Sequence, residues 1–214
     1  MPFQTWLAYL VATIVICLSP GPGAVASMSS GAAYGWRRGY WNTLGLELGI
    51  ILMMTIVAVG LGAVIAATPL AYEIVRWFGV GYLIYIGIKL WLPHPPAAED
   101  GLPPPASKIP STRRGLVLRG FLINGSNPKG LIFLLAVLPQ FLTRELPQTP
   151  QYAVMTATLV TVDSIVMAMY TLLGARLLRL LQSGRQRQII DRAFGTLFFL
   201  IAIGLALSRH GHAS

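Results

Sequence analysis

The amino-acid sequence predicts an all-α membrane protein with six transmembrane helices, arranged as two inverted three-helix repeats in which helices 1 and 4 are broken. Three observations carry this expectation. The 214 residues are 55% hydrophobic and only 11% charged, whereas a soluble domain carries about 25% charged residues. The apolar residues gather into six runs separated by polar or basic turns, and a helical crossing takes ~20 such residues. Two of the runs are interrupted in their middle, at Ser19-Pro20-Gly21-Pro22-Gly23 and at Asn127-Pro128-Lys129-Gly130.

The first segment, roughly Phe3 to Ser30, lies within a stretch from Met1 to Trp36 that has no Asp, Glu, Lys or Arg. Ala24-Val25-Ala26 resembles a signal-peptide cleavage site. The missing basic n-region and the Pro-Gly-Pro in place of an apolar core point instead to a retained helix. Proline removes a backbone donor and clashes with the preceding turn, so the helix breaks there. In hydrocarbon the freed backbone groups are costly unless protein or a water-filled cavity satisfies them. A broken membrane helix is therefore a candidate binding site.

The second segment, roughly Gly39 to Ala67, follows the Arg37-Arg38 turn and holds one charge, Glu47. Thr68-Pro69 turns the chain into a third segment, roughly Tyr72 to Leu92, whose Glu73, Arg76 and Lys89 sit near its ends, where they can snorkel. Pro93 to Ser111, with Pro103-Pro104-Pro105, reads as a linker. The fourth segment, roughly Gly115 to Leu142, holds Arg119 and Lys129. The fifth, roughly Tyr152 to Leu181, holds Asp163, and the sixth, roughly Ala193 to Leu207, is short and free of charge. The expected organisation is a single transmembrane domain over 1–214, with repeat one at 1–92, a linker at 93–113 and repeat two at 114–214.

Six crossings place both termini on one side. The loops on the other side, with their helix ends, hold Arg37, Arg38, Lys89, Lys108, Arg113, Arg114, Arg176, Arg179, Arg185, Arg187 and Arg192, eleven of the sixteen basic residues. The positive-inside rule makes those loops cytoplasmic and both termini external. The repeat shows in Tyr82-Leu83-Ile84-Tyr85-Ile86-Gly87 and Phe199-Leu200-Ile201-Ala202-Ile203-Gly204, and in the recurrence of a break and a lone acid three helices later. Three helices per repeat force the second copy upside down, the plan of many secondary transporters.

Several classes are excluded. The net charge of +9 is spread between apolar segments, not over one basic face, so nucleic acid is not an expected partner. Cys17 is the only cysteine, and His94, His210 and His212 have no metal-binding spacing. No disulfide, dithiol, metal or cofactor is expected. Trp6, Trp36, Trp41, Trp77 and Trp91 fall near segment ends, as in an aromatic belt.

The residues that could carry chemistry are those at the breaks and the acids within segments. A carboxylate at mid-membrane costs ~3 kcal/mol on insertion scales and faces a cavity or a partner. Glu47 therefore either binds a substrate ammonium or carries a proton, or is structural, as an ion pair or protonated and hydrogen-bonded between helices. Gly45 and Gly49 around it form a small-xxx-small pair that favours close helix packing. Asp163, between hydroxyls in Thr161-Val162-Asp163-Ser164, has the same alternatives. Tyr170 shares its helix face and either lines the pathway or packs. Lys129 pairs with an acid, meets a substrate carboxylate, or sits near the interface and snorkels. Asn127 and Ser19 can satisfy freed backbone groups. A half-helix beginning after Pro22 would offer its amides to a carboxylate.

Together these stretches resemble the lysine exporter (LysE) and homoserine/threonine resistance (RhtB) transporters. The resemblance rests on Ser19-Pro20-Gly21-Pro22-Gly23, Gly31-Ala32-Ala33-Tyr34-Gly35-Trp36-Arg37-Arg38-Gly39 and Gly45-Leu46-Glu47-Leu48-Gly49. It continues through Gly79 to Gly87, Gly120-Phe121-Leu122-Ile123-Asn124, Asn127-Pro128-Lys129, Leu138-Pro139-Gln140-Phe141, and Asp163, Tyr170 and Gly174. It spans nearly the whole chain. It implies export of an amino acid or related small metabolite across the bacterial inner membrane by a multi-pass protein. Two departures stand out: many members carry Asp after Pro-Gly-Pro, where this chain has Gly23, and many carry a neutral residue in place of Glu47.

The expected function is thus a secondary transporter and not an enzyme, with the proton as coupling ion. Its expected partners are an amino-acid-like small molecule, membrane lipid and, as a candidate, a second copy of the chain. A membrane redox or assembly protein is the alternative, disfavoured because such chemistry needs two thiols. An intramembrane hydrolase lacks a nucleophile–base pair.

Overall fold

Long apolar runs without two-residue alternation form helices, and every regular element among the described residues is helical. The computed structural model of the protein describes residues 1–67, 69–92, 109–143, 146–174, 176 and 184–207. The elements are α1 (Phe3–Leu18), α2 (Pro22–Ala67), α3 (Pro69–Trp91), α4 (Arg113–Gly125), α5 (Pro128–Val137), a 3-10 turn (Leu138–Phe141), α6 (Gln148–Leu172) and α7 (Gly184–Leu207). Both expected breaks are present, between Leu18 and Pro22 and between Gly125 and Pro128. Most of the expected linker, Arg144, Glu145, Arg179 and the tail with His210 and His212 lie outside the described residues.

The 46 residues of α2 are not one rod. Gly35 has φ 73° and ψ 170°, a left-handed conformation open to glycine at little cost. A straight helix would hold residues 31 and 39 about 12 Å apart, and 23 and 46 about 35 Å apart. Instead a Cβ at Gly39 would stand 2.8 Å from the Gly31 nitrogen, and one at Gly23 would touch the Leu46 side chain at 3.6 Å. The helix is therefore a hairpin with arms 22–34 and 36–67. The first arm continues α1 across the break, and the second is the expected second segment.

The expected sixth segment differs from the structure in length. It begins at Gly184 and not near Ala193, giving 24 helical residues, about 36 Å at 1.5 Å per residue. Basic residues mask its start in the sequence, yet arginines suit the end of a helix at an interface. Arg192 there lies over the Trp91 ring at 5.7 Å. The fifth segment is helical over Gln148–Leu172, and its expected end at Leu181 lies outside the described residues.

The bundle is apolar outside and holds a set of buried polar side chains within an otherwise apolar core. Phe3, Leu7, Val11, Ile14 and Leu18 make an exposed stripe along α1, while Ser27, Ser29, Ser30, Asn42, Thr43, Glu47 and Asp163 are buried. A soluble domain distributes these residues the other way. Lipid, which solvates the outside as well as leucine would, explains the inversion.

Glycines let the helices touch backbone to backbone. A Cβ at Gly45 would overlap the Val117 carbonyl oxygen, one at Gly120 the Asn42 carbonyl, and one at Gly49 would stand 2.8 Å from the Asn124 Cβ. This seam joins the second arm of α2 to α4, as the small-xxx-small pair implied. A second seam sets Gly31 on the Thr171 carbonyl and Gly174 on that of Met28, joining the first arm to α6.

Arg119 of α4 then fastens both arms. Its guanidinium donates to the Ser30 hydroxyl at 2.8 Å, the Ser29 hydroxyl at 3.3 Å, the Ala26 carbonyl at 3.3 Å and Asn42 Oδ1 at 3.2 Å. Nearby, Arg38 donates to the Ser111 carbonyl and the Arg113 guanidinium lies 5.2 Å over the Trp41 ring. The Arg37-Arg38 turn and the start of α4 thus share one basic end of the bundle.

Two predictions follow from this packing. Gly45→Val should destabilise the purified protein by about 1–3 kcal/mol through overpacking. Gly60→Ala, on an open helix surface, should leave the melting temperature unchanged or raised. Equal effects of the two would show that the seam is not tight. Arg119→Lys should lower stability by about 1–3 kcal/mol, because one ammonium cannot span acceptors on both arms. An unchanged melting temperature would remove Arg119 from the account of how the arms are held.

Candidate functional site

The two breaks are finished differently. At the first, the Ser19 amide closes α1 on the carbonyls of Ile16 and Val15, at 3.0 and 3.2 Å. The Leu18 carbonyl accepts a hydrogen bond from the Tyr170 hydroxyl at 2.7 Å. The Gly21 carbonyl accepts from the Val25 amide at 3.0 Å, so Gly21 is the N-cap of the restarted helix, with Pro22 in its first turn. An N-cap Ser, Thr, Asp or Asn would accept from the next free amides. Gly21 has no side chain to do so, and no acceptor for the amides of Gly23 and Ala24 is found among the described residues. At the second break, Asn127 Oδ1 accepts from the Gly130 amide at 3.3 Å. This break is capped from within, whereas the first presents open amides.

A cavity of about 160 Å³ lies between the breaks. Ser19, Gly21, Pro22, Gly23, Asn124, Asn127 and Asp163 form its polar wall. Ile50, Met53, Ile86, Phe133, Leu134 and Phe198 form its apolar wall. Asn124 is held in place by donating to the Leu46 carbonyl at 3.0 Å.

Glu47 and Asp163, on α2 and α6, are both buried and interact with each other. Neither Glu47 oxygen has a hydrogen-bond donor with acceptable geometry. Between two carboxyl groups a hydrogen bond exists only when one of them carries the proton. Ser164 stands beside Glu47, and the buried Cys17 beside Asp163. As the only cysteine in the chain, Cys17 has no intramolecular partner for dithiol chemistry.

The residues singled out from the sequence therefore separate into groups. Ser19, Gly21, Pro22, Gly23, Asn127 and Asp163 line one cavity. Pro20 shapes the first break without lining it. Glu47 sits behind the wall, next to Leu46, and reaches the site through Asp163. Tyr170 supports the broken backbone, so its role is holding the Leu18 carbonyl. The backbone of Pro128 and Lys129 starts α5, while their side chains lie outside what the structure describes. Sequence reasoning passed over Cys17 and Asn124 as lining residues. Asn124, one turn before the break, was marked by its polar amide within an apolar run. Nothing local marked Cys17, because only the fold of α1 against α6 brings it to Asp163.

The chain was then compared with known proteins. The family model for the LysE type translocator matches residues 14–209. A homoserine/homoserine lactone efflux protein of Salmonella typhimurium is 34% identical over 210 residues, covering 98% of this chain and 100% of the relative. An uncharacterized membrane protein of Vibrio cholerae is 34% identical over 209 residues, covering 98% and 100%. A leucine efflux protein of Klebsiella pneumoniae is 27% identical over 206 residues, covering 94% and 92%. No solved structure matches. With an apolar outer face, two broken helices meeting at a cavity that has one polar wall, and this match over most of its length, the chain belongs to the LysE family of translocators.

Proposed function

We propose that the protein is a secondary transporter that exports an amino acid or a close derivative across the bacterial inner membrane, in exchange for protons. The observation that carries this reading is the cavity's pairing of open helix amides at Gly23 and Ala24 with the carboxyl group of Asp163. A helix N-terminus favours a carboxylate, and a buried acid favours an ammonium. A zwitterion supplies both. Its side chain would lie on the apolar wall of Ile50, Met53, Phe133 and Leu134. The cavity of about 160 Å³ has room for several waters and so for a small molecule. The efflux proteins among its relatives are named for homoserine and leucine, neither of which carries a second charge on its side chain.

In this reading Glu47 and Asp163 also hold the proton. Ammonium and proton compete for the same carboxyl pair, so loading one releases the other, which is the chemical requirement of antiport. The family's departures at Gly23 and Glu47 fit this reading. A Cβ at Gly23 would touch Leu46, the neighbour of Glu47, so an acid moved from one position to the other stays beside the cavity.

The proposed architecture is six crossings in two inverted repeats, 1–92 and 114–214, around the linker 93–113. It is supported by one broken helix in each half and by the packing of α3 on α7, where Gly87 meets the Phe199 ring. The basic end is read as cytoplasmic and both termini as external. Both glycine seams close that end, so the arrangement described is the one sealed towards the cytoplasm. Rocking of the repeats about the cavity would open it.

Three measurements test this. Proteoliposomes loaded with single radiolabelled amino acids should show efflux accelerated by a pH gradient, and no transport above empty vesicles across a broad panel would end the reading. Asp163→Asn should reduce transport about tenfold or more, a loss of ~1.4 kcal/mol or greater, with membrane insertion intact. Glu47→Gln should keep substrate exchange but lose its acceleration by the pH gradient. Full gradient-driven transport by both variants would assign the acids to structure. Gly21→Asp would place a carboxylate on the open amides. The variant should fold at least as stably, since an Asp N-cap equals or betters Gly, and should lose transport. Unimpaired transport would show that the substrate does not bind there.

A further inference from the structure

A second cavity, of about 310 Å³, lies on the lipid-facing side of the seam between α2 and α4. Its walls are apolar, formed by Trp41, Leu48, Val117, Leu118 and Phe121 together with the stems of Arg113 and Arg114, whose side chains are exposed. Leu48 is 50% and Leu118 57% exposed. The groove borders the seam where Gly45 lets α4 approach α2 backbone to backbone, at Val117 and Phe121. No carboxylate pairs with either arginine among the described residues, and they are the first two residues of α4, where Thr112 caps only the Gly115 amide, at 3.1 Å. Arg113 is steadied over the Trp41 ring at 5.2 Å.

We propose that this groove is a binding site for an anionic phospholipid. The phosphate sits between the two guanidinium groups and one acyl chain runs along Leu48, Val117, Leu118 and Phe121. Charge complementarity selects this occupant. A basic pocket between membrane helices is suited to an acidic headgroup, and guanidinium forks match phosphate oxygens. A zwitterionic lipid fills the groove but brings its own cation to the arginines. A soluble phosphate meets the arginines but leaves the apolar walls uncovered. An apolar partner helix leaves the two arginines unpaired, and a second copy presenting the same face sets four like charges together. Because the groove lies on the outer face of the α2–α4 seam that closes the basic end, an occupied site braces the closed arrangement. The proposal does not depend on what the central cavity carries.

The test uses the full chain purified in detergent. Melting temperature and retained lipid, by native mass spectrometry, are measured with phosphatidylglycerol, with phosphatidylcholine of the same chains, and with glycerol phosphate. Phosphatidylglycerol alone should raise the melting temperature and survive as a bound adduct. Arg113→Gln/Arg114→Gln should weaken its binding about thirtyfold, about fivefold for each arginine. Arg113→Lys/Arg114→Lys should keep most of it. The lipid-free melting temperature of the Gln variant reads its folding, and if it falls, the single Arg114→Gln variant carries the same comparison. Equal stabilisation by phosphatidylcholine, stabilisation by glycerol phosphate alone, or undiminished binding by the Gln variants would overturn the proposal.

Discussion

In hydrocarbon, a backbone polar group has no water to turn to, so each one must find a protein partner or a cavity. This constraint explains more of the structure than any other. Breaking α1 from α2 and α4 from α5 frees amides and carbonyls in the middle of the bundle. Tyr170 takes the Leu18 carbonyl, Asn127 takes the Gly130 amide, and Asn124 secures the Leu46 carbonyl beside them. The amides left over, at Gly23 and Ala24, border the cavity. The polar site is therefore what remains when the other freed groups have been satisfied.

A bundle in lipid gains little from hiding apolar side chains, since lipid tails are as apolar as leucine. Cohesion comes from close backbone approach and from polar contacts inside. Gly31, Gly45, Gly120 and Gly174 provide the first, each set where a methyl group would collide with a carbonyl on a neighbouring helix. Arg119 provides the second, with four neutral acceptors on two arms and no acid among them. At the opposite end, contacts run through side chains instead, with Trp6 donating to Thr158 at 3.1 Å and Tyr9 to the Met155 carbonyl at 3.1 Å. Two ends closed by different chemistry are what a protein needs if it opens one end at a time.

The acids belong to the same logic. Glu47 and Asp163 come from separate helices and are buried together without a basic partner among the described residues. In the proposed reading, these two carboxyl groups beside the cavity are where a proton and a substrate ammonium exchange.

Much of this was legible in the chain itself. The breaks follow from proline chemistry, which is local, and appear where Pro20, Pro22 and Pro128 lie. The outward stripe of α1 and the close packing at Gly45 and Gly49 are periodicity and side-chain size, also local. Burial of Glu47 and Asp163 follows from the cost of charge in lipid, which needs no coordinates. What the sequence could not determine is which groups meet. The reversal at Gly35, the start of α7 ahead of its arginines, the meeting of Cys17 with Asp163, and the reach of Arg119 across two arms depend on contacts between residues far apart in the chain. Local rules state that a buried polar group must have a partner. Only the tertiary structure decides which partner it has, because that choice is made by the approach of helices and not by the residue itself.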